Sequence, residues 1–221
     1  MAKKATMKPT TKVLNFIPAT QFYGCRTKVE FSFTDREGES EIPLSLAFHV
    51  RGGGSARIPL PAGCALVSES MNRAALAIVE KLRVLGYAAN DLKTLVIRES
   101  KSIHANEKSH LGGQAGKFLA ILYAKKDTIA KFPVDDIPDL AGFLVFYSTE
   151  KSPASVATKE LWRWGEDHLI EHVSGLDIRY SWDSFFQNNV PMFEIAVEEM
   201  KKHILNDANV RPSDERGSTE A

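Results

Sequence analysis

The feature that most constrains the fold is a strict alternation of apolar and polar residues near the N-terminus. Residues 28–34 read Lys-Val-Glu-Phe-Ser-Phe-Thr, and a second alternating run follows after the polar residues 35–40. The apolar positions of the second run are Ile42, Leu44, Leu46, Phe48 and Val50. Because side chains alternate between the two sides of a strand, this pattern predicts an antiparallel β-hairpin with one buried face. Ile58 and Leu60 predict a short third strand.

Apolar residues recur at steps of three and four in the next segment, from Met71 to Leu85, and Gly86 follows. This spacing predicts an amphipathic helix that ends near the glycine. Three apolar runs of strand length come after it, at 92–97, 118–123 and 143–147. The last part of the chain has helical spacing again, which predicts two more helices, at 155–173 and 192–205.

These elements predict an α+β fold. It has an antiparallel β-hairpin region, a central helix, further strands, and two C-terminal helices packed on the sheet. We expect a single globular domain over residues 13–205. A Lys/Thr-rich stretch at 1–12 predicts a disordered basic arm, and residues 206–221 predict a disordered polar tail.

Charge and cysteine content bound the class of protein. The 28 basic and 28 acidic residues cancel, so no overall field draws the chain to nucleic acid or to an acidic membrane. No apolar run approaches the roughly 18 residues needed to span a bilayer. Cys25 and Cys64 do not form the close pairs of a metal ribbon, and the first residues lack the apolar core of a signal peptide. We therefore expect a cytoplasmic protein with reduced thiols.

Lysine and arginine residues on two predicted loops are the candidate contacts for nucleic acid. Such loops present several cations on a mobile connection, which suits a phosphate backbone. One is the glycine-rich turn after the hairpin, and the other is the long polar segment between the strands at 92–97 and 118–123. The candidates are Arg51, Arg57, Lys101, Lys108 and Lys117.

His168, Glu171 and His172 form the spacing His-x-x-Glu-His, in which a class of zinc peptidases binds its ion. On a helix, the two histidines fall within the apolar arc of 155–173. Glu199 and His203 hold the same position on the last predicted helix. If the helices pack antiparallel, His168, His172, Glu199 and His203 could bind one zinc or other divalent ion. Glu171 would then be the general base of a hydrolase. Alternatively, the histidines are structural.

Aromatic residues are concentrated in the C-terminal part, where Trp182 and Phe186 are candidates for a partner-binding patch. Because no catalytic motif is specific, the sequence predicts a cytosolic non-catalytic binding or assembly protein that contacts protein or nucleic acid and needs no cofactor. The alternative is the divalent-metal-dependent hydrolase. A binding protein with one structural metal ion would combine both.

Overall fold

The chain forms nine strands and two α-helices across the residues that the structure describes. This computed structural model describes residues 16–19, 21–35, 44–52, 54–101, 116–152 and 154–206. The strands are β1 (Lys28–Asp35), β2 (Leu44–His49), β3 (Arg57–Pro59), β4 (Leu92–Glu99), β5 (Phe118–Ala124), β6 (Leu140–Tyr147), β7 (Lys159–Gly165), β8 (His168–Val173) and β9 (Leu176–Ser181). The helices are α1 (Glu69–Val84) and α2 (Val190–Asn206).

Seven strands form one sheet in the order β3-β2-β1-β4-β5-β6-β7, and β8 pairs with β9 in a separate hairpin. Neighbours in the large sheet are antiparallel except β5 and β6, which run parallel. Residues 125–139 connect this parallel pair without a helix. The sheet is therefore mixed, with one parallel step among six.

The first face of the sheet carries the main core. Ser68 caps α1 by accepting a hydrogen bond from the Met71 amide at 3.1 Å. The buried residues of α1 recur at the spacing of one helical face. They are Met71, Ala74, Ala75, Ile78, Val79 and Leu82. This face packs on the sheet together with the 125–139 connection, where Trp162 donates its ring N–H to the Ile129 carbonyl at 3.0 Å.

Only one half of the second face of the sheet is covered by other elements. The β8–β9 hairpin packs Leu169 and Tyr180 against apolar side chains of β5 and β6, including Ile121 and Leu144. On the other side of the same face, Lys28 and Glu30 of β1 are exposed. The half of this face formed by β1, β2, β3 and the start of β4 is therefore open, and we refer to it as the open half-face. The residues on it are Lys28, Glu30, Ser32, Thr34, His49, Arg57 and Thr94, of which Ser32 and Thr94 are buried.

The predicted architecture is wrong at the C-terminal end. The N-terminal hairpin, the short third strand and α1 are present, but residues 155–173 form β7 and β8 instead of a helix. Only α2 remains of the two predicted C-terminal helices, and the described chain is mostly sheet. The prediction of a helix over 155–173 failed because residues i and i+4 lie on the same side of a helix and also on the same side of a strand. The spacing therefore does not distinguish the two.

Three further expectations concern the terminal segments, the cysteines and membrane-spanning helices. The predicted arm at 1–12 lies outside the described residues, as does all but the first residue of the predicted tail at 206–221. Cys25 and Cys64 are both free thiols. Neither of the described helices, of 16 and 17 residues, is long and apolar enough to cross a membrane.

Candidate nucleic-acid interface

A polar groove runs over the open half-face. Its volume is about 770 Å³. The floor comes from β1 and β4, one wall from β2 and β3, and the other wall from residues near Ser155. The charged and ring-bearing side chains along it are Glu30, Phe33, Asp35, Phe48, His49, Arg57, Lys93 and Lys125.

Lys93 holds the wall near Ser155 in place. Its ammonium donates to the Ser148 hydroxyl at 3.1 Å and to three backbone carbonyls. These are the carbonyls of Thr149 at 3.0 Å, Ser152 at 2.9 Å and Ala154 at 2.7 Å. The hydroxyls of Thr94 and Ser155 are also hydrogen-bonded across the floor. Burial, followed by the nearby charge of Lys125, lowers the pKa of Lys93. Lys93 is therefore a structural cation that shapes the groove.

Arg57 and His49 form a pair on the opposite wall. The Arg57 Nη1 atom lies 2.8 Å from Nδ1 of His49 and donates to the Ser55 carbonyl at 3.0 Å. Partial burial and then the charge of Arg57 lower the pKa of His49. The ring is therefore neutral at pH 7, and it accepts the hydrogen bond at Nδ1. The pair leaves Arg57 as the charged member on this wall.

A smaller pocket of about 310 Å³ adjoins the groove, since Glu30 and Ser155 line both. It lies where β1, β4 and β5 meet the segment that follows β9. In the sheet register, Lys28 is opposite Arg98, and Thr94 is opposite Tyr123. The side chains that give the pocket its chemistry are Lys28, Glu30, Arg98, Tyr123, Trp182, Asp183 and Ser184.

Arg98 joins this pocket to the hairpin. Its side chain is buried, and Nη1 donates to the carbonyls of Ser181 and Trp182, at 3.1 and 2.9 Å. The guanidinium also lies 4.9 Å from the ring centre of Tyr180, which is a cation–π contact. Burial raises the pKa of Tyr123 to about 12, so its hydroxyl keeps its proton at neutral pH.

The two cavities together contain five cationic side chains and three carboxylates. Lys93 and Arg98 are occupied by backbone carbonyls. Lys28 and Lys125 form no ion pair within the described ranges, so they and Arg57 supply the positive charge that a polyanion would meet.

The predicted metal ligands do not come together. His168 and His172 lie on β8, where four residues of extended chain separate their Cα atoms by roughly 13 Å, too far to share one ion. Asp167 lies 3.2 Å from Nδ1 of His168, and Asp177 lies 2.8 Å from Nδ1 of His172. On α2, Glu199 pairs with Lys202 at 2.6 Å, and His203 is exposed. Among the described residues, no three His, Cys, Asp or Glu side chains are placed to hold a metal.

Glu171, the predicted general base, is fully buried in β8. Its Oε2 accepts a hydrogen bond from the Lys101 amide at 3.0 Å, which ties the end of β4 to the hairpin. The neighbouring Ser100 hydroxyl donates to the Ile170 carbonyl at 2.7 Å. These contacts give Glu171 a structural position.

The predicted nucleic-acid contacts are dispersed. Arg57 lies in the groove, and Arg51 is exposed on the turn after β2. The Lys101 ammonium is hydrogen-bonded to the Gly24 carbonyl, and that of Lys117 pairs with Asp139 at 3.0 Å. Lys108 lies outside the described residues.

Trp182 and Phe186, the predicted partner-binding residues, pack on the second face of the sheet. The Trp182 ring lies 4.6 Å from that of Phe146, and Phe186 stacks on Tyr180 at 4.4 Å. Between them, Phe185 is 82% exposed.

Sequence reasoning missed Lys28, Arg98, Tyr123 and Lys125 as site residues. A signal for the first was available, because the alternation of β1 places Lys28 and Glu30 on the side opposite the core. The other three could not be found in this way, since they join the site only through the pairing of β4 and β5.

No protein-family model matches this chain, which resembles known proteins in sequence and in fold. It is 28% identical over 189 residues to an uncharacterized RNA methyltransferase of Caldanaerobacter subterraneus subsp. tengcongensis, covering 76% of this chain and 37% of that protein. The fold resembles a crystal structure of the Pyrococcus abyssi tRNA (uracil-54, C5)-methyltransferase in complex with S-adenosyl-L-homocysteine. This second match has a TM-score of 0.60 and 14% identity, and covers 84% of this chain and 43% of that one. The chain thus spans about two fifths of the length of either protein.

These similarities contradict the predicted function. Both matched proteins are named as RNA or tRNA methyltransferases, which are enzymes and not metal hydrolases. The non-catalytic binding or assembly protein and the divalent-metal-dependent hydrolase are therefore both set aside, together with the metal site on which the second depended. The Pyrococcus abyssi enzyme is bound to S-adenosyl-L-homocysteine, a kind of ligand that the expectation of no cofactor did not include.

Proposed function

We propose that this chain acts in RNA methylation, with RNA as the substrate and S-adenosylmethionine as the methyl donor. The observation that carries the proposal is the open half-face, a polar groove with cationic side chains that adjoins a pocket lined by Tyr123 and Trp182. This groove occurs in a chain that is 28% identical to an RNA methyltransferase over 76% of the chain's own length. In this proposal, the described residues bind the RNA substrate.

The chemistry of the groove suits an unpaired RNA strand. Arg57 and Lys125 can neutralise phosphates, while the floor of β1 offers the hydroxyl of Thr34 to ribose and base edges. Open sheet faces with nearby rings are a common way of binding single-stranded RNA, because its unstacked bases are accessible. The acidic Glu30 and Asp35 limit how many phosphates can lie close to β1.

The described residues do not suit the methyl donor. Adenosine cofactors of this size commonly bind at the carboxyl ends of parallel strands, where a helix begins after the strand. Here, the one parallel pair, β5 and β6, is joined by residues 125–139, which contain no helix. We therefore derive no step through the donor from these residues.

RNA binding by the purified full-length chain tests the proposal directly. A fluorescent single-stranded RNA should bind with an affinity that falls as salt rises, since phosphate contacts release counterions. The double change Arg57→Gln and Lys125→Gln should reduce the affinity at least tenfold and lower the salt slope by about one for each phosphate that is no longer neutralised. The matched control is Lys131→Gln, because Lys131 is exposed on the connection that covers the opposite face.

The methylation itself is tested in cells. Deleting the gene from its host and digesting total RNA to nucleosides should reveal the loss of a methylated nucleoside by mass spectrometry, and the gene should restore it. An unchanged set of methylated nucleosides would overturn the proposal. So would RNA affinity that is independent of salt, or that falls equally in the Lys131→Gln control.

A further inference from the structure

The 310 Å³ pocket beside the groove has the chemistry of a base site and not of a phosphate site. We propose that it receives one unpaired nucleobase of the bound RNA, an inference that rests on the proposed function. Pockets for small ligands begin at about 300 Å³, so this one has room for a single base or nucleoside.

Two aromatic rings give the pocket a stacking surface. Tyr123 and Trp182 both line it. Both rings pack on the ring of Phe146, whose centre lies 6.0 Å from that of Tyr123 and 4.6 Å from that of Trp182. Phe146 therefore contacts both rings and fixes their positions. A platform fixed in this way can stack any base, since every base has a π-face.

The polar groups around the rings include both donors and acceptors. Lys28 is a donor, whereas Glu30 and Asp183 are acceptors. The Ser181 hydroxyl donates to the Asp183 carboxylate at 2.6 Å and so orients it. Two carboxylates would repel a phosphate, but a base edge carries N–H groups and carbonyls together and can satisfy both kinds of group.

The position of the pocket fits a base that leaves the strand. Glu30 and Ser155 line both the groove and the pocket, so the two cavities meet without an intervening wall. A strand whose phosphates contact Lys125 and Arg57 in the groove passes the mouth of the pocket. One of its bases can then turn inward while the backbone continues.

Photo-crosslinking of the unaltered chain is the first test. A set of single-stranded RNAs, each with 5-iodouridine at one position, would be irradiated on the protein, and the crosslinked peptides identified by mass spectrometry. We expect one position to crosslink strongly to Tyr123 or Trp182. Crosslinks confined to peptides outside the pocket would overturn the inference.

Substitution gives the second test, with a matched control. Trp182→Leu should weaken RNA binding about tenfold, whereas Trp164→Leu, which alters a partly exposed tryptophan on β7 outside the pocket, should not. An RNA without a base at the crosslinking position should bind the Trp182→Leu variant and the unaltered chain equally. Because Trp182 also packs on Phe146, Asp183→Ala at an exposed residue serves as a second variant that leaves this packing intact. It removes the acceptor and should reduce the ratio of the affinity for the complete RNA to that for the abasic RNA.

The outcomes separate this inference from the proposed function. If the unaltered chain binds no RNA, both fail. If it binds RNA with the expected salt dependence, but Trp182→Leu and Asp183→Ala prefer the complete RNA over the abasic RNA as strongly as Trp164→Leu does, only the base pocket is wrong.

Discussion

Arg98 donates a hydrogen bond from Nη1 to the backbone carbonyl of Trp182 at 2.9 Å, and the side chain of Arg98 is buried. A residue of β4, near the middle of the large sheet, therefore fixes the segment that leaves the β8–β9 hairpin. The same contact holds Trp182 beside Tyr123. Stability and the shape of the pocket are thus coupled through one guanidinium.

Replacing Arg98 with Met should lower the free energy of unfolding by about 2–4 kcal/mol, because the Ser181 and Trp182 carbonyls lose a charged donor in a buried place. Urea denaturation followed by tryptophan fluorescence measures the change. Arg73→Met on the exposed side of α1 is the control and should change the stability by less than about 0.5 kcal/mol. Equal stability of the two variants would show that the Arg98 contacts contribute little.

Lys93→Met should loosen the groove wall while leaving the sheet intact. The ammonium is the shared donor to Ser148, Thr149, Ser152 and Ala154, so its removal frees three carbonyls that other groups must satisfy. Hydrogen exchange should speed up in residues 149–156 and remain unchanged in β5 and β6. We expect RNA affinity to fall as the wall becomes less ordered. Lys159→Met on β7 is the control, and similar exchange in both variants would contradict the role of Lys93.

The sequence predicts the local elements of this fold better than their partners. The alternation of β1 correctly assigns Phe31 to the core and Lys28 to the opposite side. This alternation gives no indication that β1 pairs with β4, which lies more than 60 residues further along the chain. The groove and the pocket arise from that pairing, so they could not be predicted from local pattern.

The error over 155–173 has a specific cause. Trp162 and His168 fall on one side of a helical wheel, yet they belong to different strands on either side of a turn. Aromatic and β-branched residues such as Trp162, Trp164, Ile170 and Val173 favour strands, and this preference was outweighed by apparent helical spacing. The metal-site hypothesis depended on that helix and fails with it.

Gly142 and Gly165 allow β6 and β7 to approach closely at their paired ends. A Cβ atom on Gly142 would lie 1.8 Å from the Glu166 carbonyl oxygen, which is backbone and cannot rotate away. Gly142→Ala should therefore cost about 1–3 kcal/mol in the free energy of unfolding. Gly52→Ala meets open space and has only the cost of a positive φ, so thermal unfolding should show the smaller loss for this control. An unaltered melting temperature for Gly142→Ala would show that the strands can separate at this end.

Glu99 is a buried carboxyl group at the end of β4. Its Oε1 accepts a hydrogen bond from the Ser68 hydroxyl at 3.0 Å, and Ser68 is the residue that caps α1. The other oxygen, Oε2, lies 3.8 Å from the Lys101 ammonium and has no hydrogen bond within the described part of the chain. Burial raises the pKa of Glu99 above its usual 4.5, although Lys101 and Ser68 act in the opposite direction.

Glu99→Gln should therefore stabilise the protein at neutral pH and not at acid pH. A carboxyl whose pKa is raised on folding contributes stability below the pKa of the unfolded chain, near 4.5, and loses it as the pH rises through the folded value. The melting temperature of Glu99→Gln should then exceed that of the unaltered chain at pH 7–8, and the difference should shrink as the pH falls toward 4. Glu69→Gln, at an exposed residue, should change the melting temperature little across this range. A difference that grows on acidification would mean that the ion pair with Lys101 outweighs the cost of burial.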